Sequence, residues 1–256
     1  MADSLKINTV TARQIPAISF SLREVLIHSN PPLNVWLRDF LKLHENLSEQ
    51  DFEKLWWSWR SQRNSLAAAG EFSGDDRNES LKKFVSENFP TSAQKFDEVY
   101  RASIKLVFPQ YVEDVLVTLK ERGYRLACVT NEPEASLEYL KMFRLLDFFE
   151  TLILAKEEGH PKPESRAFEL LIEELQIQPN QLIHVGSQFA TDVCAARAAN
   201  VASLIYDPLK EELKTIELLE AAPEKKVISI SEVRQNRWSE NLRVIQKFDE
   251  LLEIFR

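Results

Sequence analysis

The chain has 256 residues, 44% of them hydrophobic and 28% charged, which is enough for one large core or for a core carrying an inserted domain. Its net charge of −8 argues against general affinity for nucleic-acid phosphates, and no apolar run approaches the roughly 20 residues that span a bilayer. Five glycines are too few for a Gly-rich phosphate loop or for an all-β fold built on tight turns.

Residues 1–16 lack an apolar stretch followed by a small-residue cleavage site and read as a loose N-terminal arm rather than a secretory signal. Few arginines there make organelle import the weaker alternative to a cytoplasmic protein. "AISFSLREVLI" (17–27) opens apolar and β-rich, as a first strand does, and "SNPPLN" (29–34) punctuates the chain. From Val35 to Phe108 the period is helical throughout, with Trp36, Phe40 and Leu43 on one stripe, and no strand is expected.

After Pro109 strands and helices alternate. "YVEDVLVTLKERG" is a helix closed by Gly123, "YRLACVTN" a buried strand, and "EPEASLEYLKMFRLLDFF" one helix. "ETLILA", "NQLIHVG" and "ASLIYD" are strands separated by the helices "KPESRAFELLIEELQ" and "TDVCAARAAN", and "KVISISEV" closes the series. This alternation predicts an α/β fold with a doubly wound parallel sheet, whose ligands bind at the carboxyl ends of the strands. The expected organisation is an arm (1–16), a core (17–30 and 109–236), an all-helical cap insert (31–108) and a C-terminal helix (237–256). Leu242, Ile245, Phe248, Leu252 and Phe255 lie on one face of that helix. Cys128 and Cys194 stand in apolar stretches without metal-ligand spacing and read as buried, reduced thiols.

The strand ends carry "CVTN", "HPKPESRAFE" and "HVGSQFATDVCAARAANV" in that order, after a helical insert. Together they resemble the haloacid dehalogenase-like superfamily over residues 17–235, and the insert resembles the helical cap of many of its phosphatases. The resemblance implies a Rossmann-type core and chemistry with stated needs. An aspartate ending the first strand attacks phosphorus, and a second one two residues later is the general acid and base. A Thr or Ser and a lysine neutralise the phosphoryl oxygens, and acidic residues in the last loop hold Mg²⁺.

"FSLREVL" departs from that pattern. Ser21 stands at the nucleophile position, Arg23 at the acid–base position, and Ser187 where the leading metal carboxylate belongs. Thr130, Lys162 and Asp192 match the family. A serine nucleophile needs a neighbouring base, and the guanidinium of Arg23 cannot accept a proton. The expectation is therefore a catalytically inactive protein with no metal and no cofactor, in which Asp192 pairs with Lys162 or Arg23 because a buried lysine needs a partner.

Three functions remain open. One is a protein-binding, assembly or regulatory subunit, as a homo-oligomer or with another protein. Its anchors would be Trp56, Trp57 and Trp59 of the insert and Phe248 and Phe255 of the last helix. The tryptophans cannot all face one way, since neighbours on a helix point about 100° apart. The second is a sensor that binds a phosphorylated small molecule through Arg23, Thr130, Asn131, Lys162 and Asp192 without cleaving it, unless Lys162, Asp192 and Glu164 merely pair among themselves. The third is a hydrolase with relocated chemistry. Among the histidines only His160 is expected near the cleft, as a solvated loop residue.

Overall fold

The computed structural model describes residues 16–68, 77–214 and 243–256. The segment "AISF" folds as β1 (Ala17–Phe20), with all four residues buried. Such a strand can only sit at the centre of a sheet covered on both faces. It pairs in parallel with β4 (Arg125–Thr130) on one side and β6 (Leu182–Gly186) on the other. With β5 (Thr151–Leu154), β7 (Ala202–Tyr206) and β8 (Arg243–Ile245), the described residues form a parallel sheet of order β5-β4-β1-β6-β7-β8.

Helix α5 (Gln110–Glu121) covers one face through Val112, Leu116 and Leu119, and Gly123 at φ +87° turns the chain back, as expected. Helices α7 (Arg166–Leu175) and α8 (Cys194–Ala198) cover the other through Phe168, Leu171 and Ala195. The predicted single helix over 132–149 is broken. Helix α6 (Leu137–Met142) ends where Arg144 adopts φ +55° and the Leu145 N–H bonds the Leu140 carbonyl at 2.7 Å, a left-handed stop.

The insert contains α1 (Leu33–Glu45), α2 (Glu49–Ala68), α3 (Arg77–Asn88) and α4 (Pro90–Ser103). On α1 the buried stripe is Trp36, Leu37, Phe40 and Leu41, while Leu43 is 79% exposed and lies off it. Contrary to expectation the insert's borders are strands. β2 (His28–Asn30) and β3 (Lys105–Val107) pair antiparallel where the chain leaves and re-enters the core. Here β-branched and apolar residues in "IKLV" outweigh the helical period that precedes them.

The C-terminal segment corrects the sequence reading most. Instead of one helix it forms β8, a 3₁₀ turn over Phe248–Glu250, and the short helix α9 (Leu251–Ile254). Three of its apolar residues are buried in the core: Ile245 as the last residue of β8, Phe248 with ring centroid 6.1 Å from Phe20, and Phe255 5.4 Å from Tyr124. Trp56 and Trp59 also fill a core, that of the cap, with ring centroids 5.1 Å apart and planes tilted by 40°. These four side chains are packing residues and not the exposed anchors proposed from sequence. Trp57 alone of the three is only half-buried, lying under the Lys214 ammonium at 4.2 Å. The predicted strand over 226–233 and the border at 236/237 lie outside the described residues.

Trp56→Ala and Phe248→Ala should each lower stability by about 3–5 kcal/mol, the usual cost of emptying a buried aromatic site. Thermal melts check this, because an exposed anchor replaced by alanine would leave the midpoint where it was.

Candidate functional site

The site forms at the carboxyl ends of β1, β4 and β6. In the β1–β6 register Ser19 lies opposite His184 and Phe20 opposite Val185. Side chains alternate along a strand, so Ser19 and Ser21 project to the side on which His184 stands. The Ser19 hydroxyl meets His184 Nδ1 at 2.9 Å, and Ser21 Oγ meets Nε2 at 3.2 Å.

Asp192 is the centre. Its carboxylate accepts from Ser21 Oγ at 2.7 Å and Lys162 Nζ at 2.6 Å on Oδ1, and from the backbone N–H groups of Ser187 at 2.8 Å and Gln188 at 3.0 Å on Oδ2. The chain approaches Gly186 so closely that a Cβ there would lie 2.3 Å from Asp192 Cβ, so only glycine fits. Burial alone would push the carboxyl upward. The Lys162 charge and the His184 contact outweigh it and hold Asp192 well below the usual carboxylate range.

Lys162 spends all three ammonium protons, on Asp192, on Ser21 Oγ at 2.7 Å and on the Val129 carbonyl at 3.0 Å. Asn131 clamps the Lys162 backbone, accepting from its N–H and donating to its carbonyl, both at 2.8 Å. The buried Thr130 hydroxyl accepts the Glu132 N–H at 3.0 Å. The Lys162–Asp192 pair thus forms as the sequence predicts.

Other pairings differ from expectation. Arg23 turns to Glu132 at 3.2 Å and not to Asp192. Glu164 pairs with His160 in solvent at 3.1 Å and takes no part in the buried cluster. The histidine of the site is His184, wholly buried, which was passed over in the sequence because its partners come from a distant strand. A signal was available: Ser19 interrupts the apolar run of β1 one position before its end, and His184 that of β6 two positions before its end. Burial depresses the His184 imidazole and the Lys162 charge adds to this, against the opposing pull of Asp192. Since Ser21 gives its only proton to Asp192, neutral His184 carries its own on Nε2, facing Ser21.

Ser21 Oγ therefore donates once and accepts twice, and its hydrogen-bonding capacity is filled. Ser187 is structural as well, donating from Oγ to the Arg23 carbonyl at 3.2 Å. A cavity of about 60 Å³ remains above these groups, bordered by Arg23, Glu132, Gln188 and, from the cap, Leu33 and Arg63. Small-molecule pockets usually begin near ~300 Å³.

Residues 15–200 match the haloacid dehalogenase-like hydrolase family. The chain belongs to that family. A phosphoglycolate phosphatase of Nitrosospira multiformis is 37% identical over 89 residues, 34% of this chain and 39% of that protein. A ribulose-1,5-bisphosphate 5-phosphatase of Halopiger xanaduensis is 27% identical over 114 residues, 44% of this chain and 48% of that one. The matched segments thus span less than half the length of these curated relatives. The fold extends further. A phosphatase of this family from Thermococcus onnurineus superposes with a TM-score of 0.52 at 19% identity, over 94% of this chain and 97% of that one. The L-2-haloacid dehalogenase of Xanthobacter autotrophicus does so at 0.55 and 16%, over 93% and 97%.

The family implies Mg²⁺ at this strand end, and the donor set does not fit it. The described residues hold no cluster of three metal-ligating side chains, and both oxygens of Asp192 are already engaged, one of them by an ammonium group. The two thiols are free and play no part here; burial pushes both Cys128 and Cys194 up to about 12. Among the described residues no helix is long and apolar enough to cross a membrane.

Asp192→Ala leaves Lys162 charged and buried, and should cost about 3–5 kcal/mol. Adding Lys162→Met should recover much of that loss, which denaturant titration of the single and double variants would show. The imidazole of His184 predicts a pH dependence. Its folded pKa lies below the unfolded value, so the unfolded chain binds the extra proton first and stability falls as pH drops below about 6.5. Melting midpoints from about pH 7.5 to 5 should decline, and His184→Gln should shrink the decline.

Proposed function

We propose that this chain is a non-hydrolysing member of its family, a regulatory protein that binds a phosphorylated small molecule without cleaving it. One observation carries the proposal. The oxygen that stands in place of the family's nucleophile is saturated, donating to Asp192 and accepting from Lys162 and His184. Attack through Ser21 would need a base to take its proton. The group that receives it is a carboxylate already held well below its ordinary range by Lys162, and so a poor base.

Binding draws support from the way the charges divide. Lys162 and Asp192 are 4% and 3% exposed and locked together. Arg23 and Glu132 are 22% and 18% exposed at the mouth of the cleft, a pair more accessible than the inner one. An incoming phosphate would take the Arg23 guanidinium from Glu132 and the free hydroxyl proton of Thr130, with the fork of the guanidinium well shaped for two oxygens. The names of the curated relatives make phosphoglycolate the first ligand to try. The subunit-assembly reading has lost Trp56, Trp59, Phe248 and Phe255 to the core, and only Trp57 still supports it.

Incubated with phosphoglycolate or p-nitrophenyl phosphate and Mg²⁺, the protein should release no phosphate above the buffer rate. Ser21→Asp alone should not change this, since Arg23 and Ser187 still occupy acidic positions. Calorimetry with phosphoglycolate should give saturable binding, weakened about tenfold or more in Arg23→Ala, the loss of one charge-assisted contact. Mg²⁺-dependent turnover that vanishes in Asp192→Asn would refute the proposal and make the chain a phosphatase.

A further inference from the structure

The hydrogen bonds that tie Gln188 into the fold come from its backbone. The residue is extended, at φ −135° and ψ 127°, between β6 and the helical turn over Phe189–Val193 that carries Asp192. Its N–H donates to Asp192 Oδ2 at 3.0 Å, and its carbonyl accepts the Asp192 N–H at 2.9 Å. Any side chain that tolerates extended backbone would leave both bonds in place. The side chain of Gln188 is a different matter. It is half-buried and borders the cleft cavity, yet its Oε1 is shut off from solvent and meets no donor among the described residues. A buried acceptor left without a donor weakens a fold, and such groups are rare enough that each one asks for a cause.

We infer that Gln188 selects the ligand of this cleft, accepting a hydrogen bond from a hydroxyl group carried a short way along the chain from the phosphate. This selectivity rests on the cleft binding phosphate esters, as proposed above. The terminal torsion of a glutamine is broad and roughly two-fold. A turn about that bond carries Oε1 from its closed position to the cavity while the backbone stays bonded to Asp192. Thr130 and Arg23, which would hold the phosphate, border the same cavity of about 60 Å³, so a ligand bonded at both ends is short. Leu22 and Leu33 border it as well and offer its carbon atoms apolar contact. The chemistry of the wall favours a hydroxyl over other groups. A carboxylate has no proton to give, and an ammonium would stand among the cations Arg23, Arg63 and Lys162. A hydroxyl supplies the donor that the fold withholds, whereas an ester without one leaves Oε1 unpaired. Sites built to bond a ligand hydroxyl reject the analogue that lacks it more sharply than an apolar wall rejects a missing methylene.

Ethyl phosphate and 2-hydroxyethyl phosphate differ by one hydroxyl, and calorimetry of both with the full chain, wild type and Gln188→Leu, separates the cases. Wild type should bind the hydroxyl compound about fivefold more tightly, the ordinary gain from one neutral hydrogen bond. In Gln188→Leu the two esters should bind within about twofold of each other, with ethyl phosphate held as in wild type. Equal affinities in wild type, or a preference that survives in the variant, would overturn the role of Gln188 and leave phosphate binding standing. If neither ester binds, the ligand-binding proposal itself falls and this role falls with it. Thermal melts add a check that needs no ligand. Leucine fills a similar volume and removes the unpaired acceptor, so Gln188→Leu should melt at or above the wild-type midpoint. A midpoint several degrees lower would show that the fold needs the amide, and would overturn the role in selection.

Discussion

The carboxylate of Asp192 holds the site together. Four donors from three parts of the chain converge on it: Lys162 from the loop after β5, Ser21 from the end of β1, and two backbone amides from the turn after β6. A buried carboxylate is tolerated only with this degree of satisfaction, and the arrangement in turn dictates its neighbours. Gly186 is fixed by the close approach of the Asp192 side chain. Asn131 is fixed by the need to hold Lys162 in place. The positions that appear as losses against the family's pattern are thus filled by groups that bond to one another.

Charge in the cleft is sorted by depth. The inner pair is dry and rigid, and its attraction acts in a low-dielectric setting where neither partner has water to turn to. The outer pair is partly exposed, at 22% and 18%, against 4% and 3% for the inner one. His184 sits behind the inner pair as a neutral hydrogen-bonding group to Ser21, 3.6 Å from Asp192 Oδ1.

The fold was legible in the sequence because its signals are local. The buried run "AISF", the period of "YVEDVLVTLKERG" and the glycine that ends it are all read within a few turns of chain. Lys162 and Asp192 were legible as a pair because a buried lysine admits few partners. His184 was not, since its role depends on the β1–β6 register, which places Ser19 opposite it across a sequence separation of 165 residues. Arg63 and Glu132 were missed for the same reason. The C-terminal segment failed differently. Ile245, Phe248 and Phe255 were recognised as apolar and buried at some surface, but a helical period and a strand followed by a turn share those spacings over so short a run, and the open edge of β7 decided between them. Leu43 shows the limit of a stripe drawn from three residues: the cap packs on Leu37 and Leu41 and leaves it in water.

The two-stranded ribbon of β2 and β3 has a wider consequence. Asn30 stands opposite Lys105 and His28 opposite Val107, so the strand entering the cap runs beside the strand leaving it, a few ångströms apart. To the core the whole insert is the tip of a hairpin, and a tight turn in its place would satisfy the same backbone pairs. Core and cap are consequently modular. The length and composition of the insert can change without altering the path of the central sheet, while changes to the sheet need not disturb the aromatic interior of the cap. Two separately packed bodies then share a single ribbon as their covalent joint.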